Sequence, residues 1–192
     1  RYNDKCAELI SSHGGSIQWV DRCRYLGVYF TSGRSFRCNF DDAKSRFFRA
    51  FNAIFSKVGR FASEPVLLSL IRAKCIPILL YGTEACPLLS RQKHSLEFTL
   101  TRIFMRFFRT GSPDVVKECQ VNFSFLPITS QLCIRTARFL QQFTAKENSL
   151  CVLFARNALK QLNDIFAQNG DSSVQTACQL TNSMYEQFHN QF

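Results

Sequence analysis

The sequence is poor in acids, in histidine and in paired cysteines, and each shortage excludes a class of protein. It has 14 Asp and Glu and three His among 192 residues, and none of its nine Cys falls in a C-x-x-C pair. The chain therefore lacks the closely spaced Cys and His residues that bind structural zinc. The longest apolar runs fall far below the about 20 residues of a membrane-spanning helix. We expect no metal and no cofactor in this chain, and no membrane partner.

The basic residues are concentrated in one part of the chain. All 24 Lys and Arg lie within residues 1–160 beside 11 acids, a net charge of +13, whereas residues 161–192 carry −3. A basic body of this kind is typical of a protein that contacts a polyanion. Nucleic acid is the first candidate and an anionic membrane surface the second, and charge alone does not choose between them.

The N-terminal part has the composition of β-structure. The stretch "RCRYLGVYFTSGRSF", Arg22–Phe36, is rich in aromatic and β-branched residues and ends in Ser and Gly, which favour turns. We predict two short strands within Ser16–Thr31, with Asp21–Arg22 as the polar break between them.

From Asn39 onward, apolar residues recur with a helical period, which predicts a mainly α protein. We expect one helix from Asn39, capped by Asn39 or Asp41, and a second from Ser63 to Gly82 that is kinked at Pro77. A third covers residues 91–110, and "GSPD" at Gly111–Asp114 ends it. Three more helices are predicted at Thr129–Phe143, Ser149–Ala167 and Ser172–Phe188, with a break at Gly170. The 20 Phe carry no polar group, so most must be buried in a core or against a partner.

Two of these helices carry a cationic stripe opposite their apolar face. The first stripe consists of Arg46, Arg49, Lys57 and Arg60, and the second of Arg102, Arg106 and Arg109. A solvated basic face is the ordinary explanation of such a stripe. Because the stripe recurs on two helices and acids are few, we favour contact with phosphates.

An active site is not predicted. The "FDD" at Phe40–Asp42 has adjacent aspartates after an aromatic residue, a pattern that can hold catalytic Mg²⁺. Here the two aspartates open a helix, and no third carboxylate lies nearby in the sequence. We therefore interpret them as helix-terminal residues and assign no catalytic residue.

An ordered set of motifs resembles the C-terminal part of non-LTR (LINE-type) retrotransposon reverse transcriptases. The set consists of "RYLGVYF", then "IRAKCIPILLYGTEACPL", then "SLEFTLTRIFMRFFRT" with "VVKECQVNFSFLP". The resemblance covers roughly Arg1 to Phe143. It implies a fragment of an RNA-directed DNA polymerase. The absence of an initiator Met at Arg1 also leads us to expect a fragment or a processed piece.

The resemblance also implies domains and site residues. Residues 1–38 match the edge of the palm, 39–111 the helical thumb, and 112–192 form a C-terminal helical extension. Tyr25, Leu26 and Gly27, with the basic neighbour Arg24, match the hairpin that grips the primer strand. Gly27 would let the hairpin approach a sugar–phosphate backbone. The helical stripes would then follow the phosphates of the RNA template–DNA primer duplex.

The family's catalytic aspartates lie upstream of the "YLG" motif in an aromatic-x-Asp-Asp pattern that this chain does not contain. We therefore expect the chain alone to be inactive, to need the missing fingers and palm as partners, and to be intracellular, in the nucleus. Mg²⁺ is expected for the full-length enzyme only. Two alternatives stay open: a non-catalytic helical module that binds a protein partner, and the remnant of a decayed element.

Overall fold

The computed structural model describes residues 7–59, 61–169 and 174–190, and the fold is mainly α-helical, as the sequence predicts. The chain divides into two compact units, one ending at Asn39 and one beginning at Phe40. The sequence-based division between residues 111 and 112 lies inside the second unit. A small antiparallel β-structure makes up the first.

The first unit contains two antiparallel sheets. One pairs β1 (Leu9–Ile10) with β2 (Ser16–Ile17), and the other has the strand order β3 (Arg22–Tyr25), β4 (Val28–Thr31), β5 (Arg37–Asn39). Asp21 of the predicted break lies between β2 and β3, whereas Arg22 is the first residue of β3, and Ser16–Thr31 contains three strands where two were predicted. The strands β3 and β4 separate at Leu26 and Gly27, whose φ angles are +47° and +81°. Two central residues with positive φ form the type I′ turn, whose twist matches that of the paired strands.

The first helix of the second unit is α1 (Asp41–Val58), and its N-cap residue is Phe40. The predicted N-caps, Asn39 and Asp41, are therefore wrong. Phe40 has no side chain that could accept a hydrogen bond. The first turn is instead stabilised by Asp41 and Asp42, which lie near the positive end of the helix dipole.

The second predicted helix is one continuous run in three parts: α2 (Glu64–Leu70), a π turn (Ile71–Cys75) and α3 (Ile76–Leu79). The predicted distortion before Pro77 takes the form of this π turn, in which the N–H of Ile76 bonds to the C=O of Ile71. Proline lacks an N–H and its ring clashes with the carbonyl four residues earlier. Hydrogen bonds between residues five apart in sequence widen the helix at this point and leave room for the proline ring.

The remaining helices are α4 (Ser90–Phe107), α5 (Pro113–Asn122), α6 (Ile128–Thr144), α7 (Ser149–Asn169) and α8 (Ala177–His189). The sequence prediction missed α5, because "GSPD" was interpreted only as the end of the helix before it. In fact Ser112 is an N-cap whose hydroxyl accepts from the N–H of Val115, and Pro113 occupies the first turn. The predicted break at Gly170 and the predicted start of the last helix at Ser172 lie outside the described residues.

The helical unit has a continuous apolar interior. The predicted faces of α1 and α4 supply Phe47, Phe51, Leu96, Leu100, Ile103 and Phe104, which are all buried. Ile54, Phe55, Val58 and Phe107 belong to the same predicted faces and are half-buried. Phe104 meets Phe125 edge-to-face at 4.9 Å between ring centroids, which connects α4 to the segment before α6. A further cluster, including Leu140, Leu162 and Leu180, joins α6, α7 and α8.

Candidate nucleic-acid interface

The two helices with predicted cationic stripes, α1 and α4, lie side by side and run in the same direction. Near their N-termini, Nζ of Lys44 donates to Oγ of Ser95 at 2.9 Å. Near their C-termini, Nη1 of Arg106 donates to Oδ1 of Asn52 at 2.7 Å. The two contacts place α1 beside α4, which the sequence could not establish, and on α1 they are made by residues outside its cationic stripe.

The stripe on α1 contains both paired and unpaired cations. Nε of Arg46 lies 3.0 Å from Oδ2 of Asp42, one helical turn earlier, without forming a well-aligned hydrogen bond. Arg49 and Lys57 are exposed and have no carboxylate partner among the described residues. Arg60 lies outside the described residues.

The stripe on α4 is exposed, and one of its members also contacts α1. Arg106 donates to Asn52 of α1, and its Cζ lies 5.5 Å from the centre of the Phe55 ring. Arg102 is exposed, with Cζ 5.8 Å from the centre of the Phe98 ring. The period of one helix could not predict the contact of Arg106, because its partner belongs to a neighbouring helix.

Arg109 lies just beyond α4 and takes part in the end of that helix. It has φ +53°, and the N–H of Thr110 bonds to the C=O of Met105 at 3.0 Å. This is the geometry of a helix C-terminus closed by a left-handed residue, a position that usually belongs to glycine. The guanidinium is exposed, so Arg109 adds a cation at the end of α4.

The acids of these two helices do not neutralise the surface. Asp41 is 2.7 Å from Nζ of Lys44, and Asp42 is the partner of Arg46. Glu97, the acid of α4, accepts a hydrogen bond from the N–H of Thr129 at 3.1 Å, and burial raises its pKa. Within the described part of the chain, Arg49, Lys57, Arg102, Arg106 and Arg109 therefore have no carboxylate in ion-pair contact.

The predicted hairpin residues are divided between the two faces of the β3–β4–β5 sheet. Strand register pairs Arg24 with Tyr29, and the guanidinium Cζ atoms of Arg22 and Arg24 lie 3.8 Å and 5.6 Å from the centre of the Tyr29 ring. Tyr25 belongs to the other face, where its ring centroid is 6.4 Å from that of Phe30. Alternation along a strand accounts for this division.

This sheet also carries basic residues that the sequence-based prediction did not select. Arg37 pairs with Thr31, which pairs with Arg22, so register places Arg22, Arg24 and Arg37 on one face. All three are exposed. The i, i+2 spacing of Arg22 and Arg24 was the signal that could have found this face.

The turn residues Leu26 and Gly27 have a structural role. Both are at positive φ, and Leu26 is 72% exposed at the tip of the hairpin. Gly27 is therefore needed for the turn itself, independently of any close approach to a ligand.

Neither a metal cluster nor a membrane span is found in the described residues. No group of three or more His, Cys, Asp or Glu within 7–59, 61–169 and 174–190 could hold a metal ion. Searching the same residues reveals no helix with the length and apolar character needed to cross a bilayer.

Comparison of the chain with protein-family models, with curated proteins and with solved structures finds no match.

Proposed function

We propose that this chain binds a nucleic-acid duplex through α1 and α4, as the palm-edge and thumb part of a non-LTR retrotransposon reverse transcriptase. The observation that carries the proposal is a set of exposed cations, without carboxylate partners among the described residues, on two adjacent helices: Arg49, Lys57, Arg102, Arg106 and Arg109. The resemblance of the ordered motifs supplies the identity of the duplex, an RNA template paired with a DNA primer. The sheet face with Arg22, Arg24 and Arg37 is a second basic surface for the same class of ligand.

The spacing of Arg49 and Lys57 suits contact with two phosphates a few nucleotides apart. Arg49 and Lys57 are eight residues apart, about 12 Å along α1 at about 1.5 Å per residue. That distance corresponds to three or four nucleotide steps of about 3.4 Å along a duplex axis. Contacts of this kind position a protein on a backbone and recognise the shape of the duplex without reading its sequence.

The proposal assigns binding to this chain and catalysis to another part of a longer protein. Asp41 and Asp42 are both paired with cations of α1, which agrees with a role in the helix terminus. Mg²⁺, the fingers and the rest of the palm would belong to the full-length polymerase, which would act in the nucleus.

The test is equilibrium binding of a labelled RNA–DNA hybrid across a salt series. The test variant changes Arg49, Lys57, Arg102 and Arg109 to Gln. The control variant removes the same charge from exposed residues outside α1 and α4: Lys117, Lys146, Arg156 and Lys160 to Gln. Release of counterions makes log K fall with log salt by roughly 0.9 for each phosphate contacted on B-form DNA, so we expect a clearly shallower slope for the test variant.

The control separates a defined surface from net charge. Equal slopes for the two variants, or no binding by the folded wild-type chain, would overturn the proposal. Both variants replace exposed side chains, so circular dichroism should show unchanged helix content.

A protein-interaction module is the second candidate, and the N-terminal half of α7 favours it. Leu150, Val152 and Leu153 are 64%, 63% and 71% exposed, and Phe154 is 49% exposed. A helix with apolar residues around most of its circumference is usually covered by other protein. Changing Leu150 and Leu153 to Ser should abolish any self-association seen by ultracentrifugation if α7 is an interface, and should leave hybrid binding unchanged.

A further inference from the structure

A groove of about 460 Å³ lies between α1 and α4, and the exposed cation Arg102 is part of its lining. Its volume falls in the range of about 300–1,000 Å³ that is usual for sites that hold a small organic group. The residues that line it are Asp41, Lys44, Ser45 and Phe48 from α1, and Ser95, Phe98, Thr99 and Arg102 from α4. The groove therefore combines aromatic rings, hydroxyl groups and cations in one place.

Phe98 is the unusual member of this lining. Its side chain is 59% exposed, whereas Leu96 and Leu100, two residues before and after it on the same helix, are buried. Arg102, one turn later, keeps its guanidinium 5.8 Å from the ring centre. An exposed ring with a cation beside it is the arrangement in which an aromatic side chain stacks on a base while the cation contacts the adjoining phosphate.

We propose that this groove takes an unpaired nucleobase from a single-stranded segment next to the bound duplex. The inference rests on the proposed function and adds to it a distinction between paired and unpaired nucleotides. A paired base is stacked inside the helix and presents no free face, whereas an unpaired base can enter a groove between two protein helices. Stacking on Phe98 would not distinguish one base from another, because every base has a π face.

The polar groups of the groove suit the edge of a base. Oγ of Ser95 accepts a hydrogen bond from Lys44, and its own proton remains to be donated. Oγ of Ser45 donates to the carbonyl of Asp41 at 3.0 Å, which leaves its lone pairs as acceptors. A donor and an acceptor are therefore available beside the rings.

Charge favours nucleic acid over a protein segment as the occupant. Among the described residues, Asp41 is the one carboxylate that lines the groove, and it is 2.7 Å from Lys44, so the pair contributes no net charge. Arg102 has no carboxylate partner among the described residues, and Arg106 follows one turn later on α4. The net field at the groove is positive, which complements the phosphate that accompanies each base.

The test compares three labelled RNA–DNA hybrids at one salt concentration: a blunt duplex, a duplex with a short single-stranded RNA overhang, and the same overhang made of abasic sugars. We expect the wild-type chain to bind the base-bearing overhang about tenfold more tightly than the abasic one, as stacking of one base on an aromatic side chain provides. Phe98→Leu should lose this difference. Phe154→Leu, which changes a half-exposed Phe on α7, should keep it.

The outcomes distinguish this inference from the proposed function. Phe98→Leu changes no charge, so its salt slope on the blunt duplex should equal that of the wild type. Equal wild-type affinity for base-bearing and abasic overhangs, or an unchanged difference in Phe98→Leu, would overturn the inference and leave duplex binding intact. Failure of the wild-type chain to bind any of the three hybrids would overturn both.

Discussion

The carboxylate of Glu97 on α4 closes the N-terminus of α6 by accepting a hydrogen bond from the backbone N–H of Thr129, with 3.1 Å between Oε2 and N. The first N–H groups of a helix have no partner within the helix, so this long-range acceptor replaces a local cap. The N-cap residue of α6 is Pro127, which has no side chain that could do so. One side chain thus fixes the position of α6 relative to α4.

Glu97 should make stability depend on pH. Burial raises its pKa above 4.5, although hydrogen bonds from Thr129 and Ile128 and the nearby His94 act in the opposite direction. The folded state then binds a proton more tightly than the unfolded state, so stability from this group is full below pH 4.5 and is lost as pH rises through the folded pKa. Glu97→Gln keeps an acceptor without the charge.

We expect Glu97→Gln to unfold in urea at the same midpoint as the wild type near pH 4 and at a higher midpoint at pH 8. Glu97→Ala removes the acceptor and should lower the free energy of unfolding by about 1 kcal/mol near pH 4, and by less at pH 8, where it also removes the buried charge. A difference between Glu97→Gln and wild type that did not grow with pH would show that the carboxylate is not destabilised by burial.

Arg109 should show opposite effects on stability and on binding. A non-glycine residue in the left-handed region is strained by roughly 1–2 kcal/mol, so Arg109→Gly should raise the free energy of unfolding by about 1 kcal/mol. The same change removes a cation at the end of α4 and should make the salt dependence of hybrid binding shallower by up to one contact. Arg109→Gln is the control, since it removes the charge and keeps the strain. A fall in stability for Arg109→Gly would contradict the assigned helix end.

The thiol of Cys75, in the π turn, should be inert in the folded chain. Burial raises its pKa to about 11, and the residue is fully inaccessible. Since the thiolate is the reactive form, alkylation at pH 8 should modify the exposed Cys23 and Cys178 first and Cys75 only after unfolding. Mass spectrometry of peptides from brief iodoacetamide treatment, with and without urea, measures this order. Labelling of Cys75 at the rate of Cys178 without urea would show that the π turn opens in the native state.

Variants of Gly27 can show whether this glycine is needed for the turn alone or also for the close approach of a ligand. Gly27→Ala places a methyl group on a residue at φ +81° and should weaken the β3–β4 hairpin, detected as faster amide exchange at Val28–Thr31. A chain with D-alanine at this position, joined by ligation at Cys38, keeps positive φ and adds the same methyl. If Gly27 serves the turn alone, the D-alanine chain should match wild type in both exchange and hybrid binding. Normal exchange with weakened binding would instead indicate that a ligand approaches the turn.

Periodicity was sufficient for elements whose interactions lie within one helix. The spacing of Phe47 and Phe51, and of Leu100 and Phe104, identified the buried faces because a helix must bury one side. The same reasoning could not find the contact of Arg106, since its partner Asn52 is 54 residues away in sequence. The cation–ring contacts around Tyr29 depend on strand register, which the turn at Leu26 and Gly27 fixes. The sequence-based prediction could not find them, because it assigned Arg22 to the break at Asp21–Arg22 and not to a strand.

The π turn at Ile71–Cys75 determines in which direction the side chains on either side of it point around the helix axis. Hydrogen bonds in the π turn join residues five apart in sequence, whereas those of an α-helix join residues four apart. The turn therefore holds one residue more than the same stretch of α-helix would. Arg72, within it, donates to the carbonyl of Ser124 at 3.0 Å, beyond the end of α5. Deleting one residue here would restore regular winding and turn Arg72 by about 100° relative to Pro77, away from that carbonyl. A homologous chain one residue shorter at this point should therefore have lost the arginine contact.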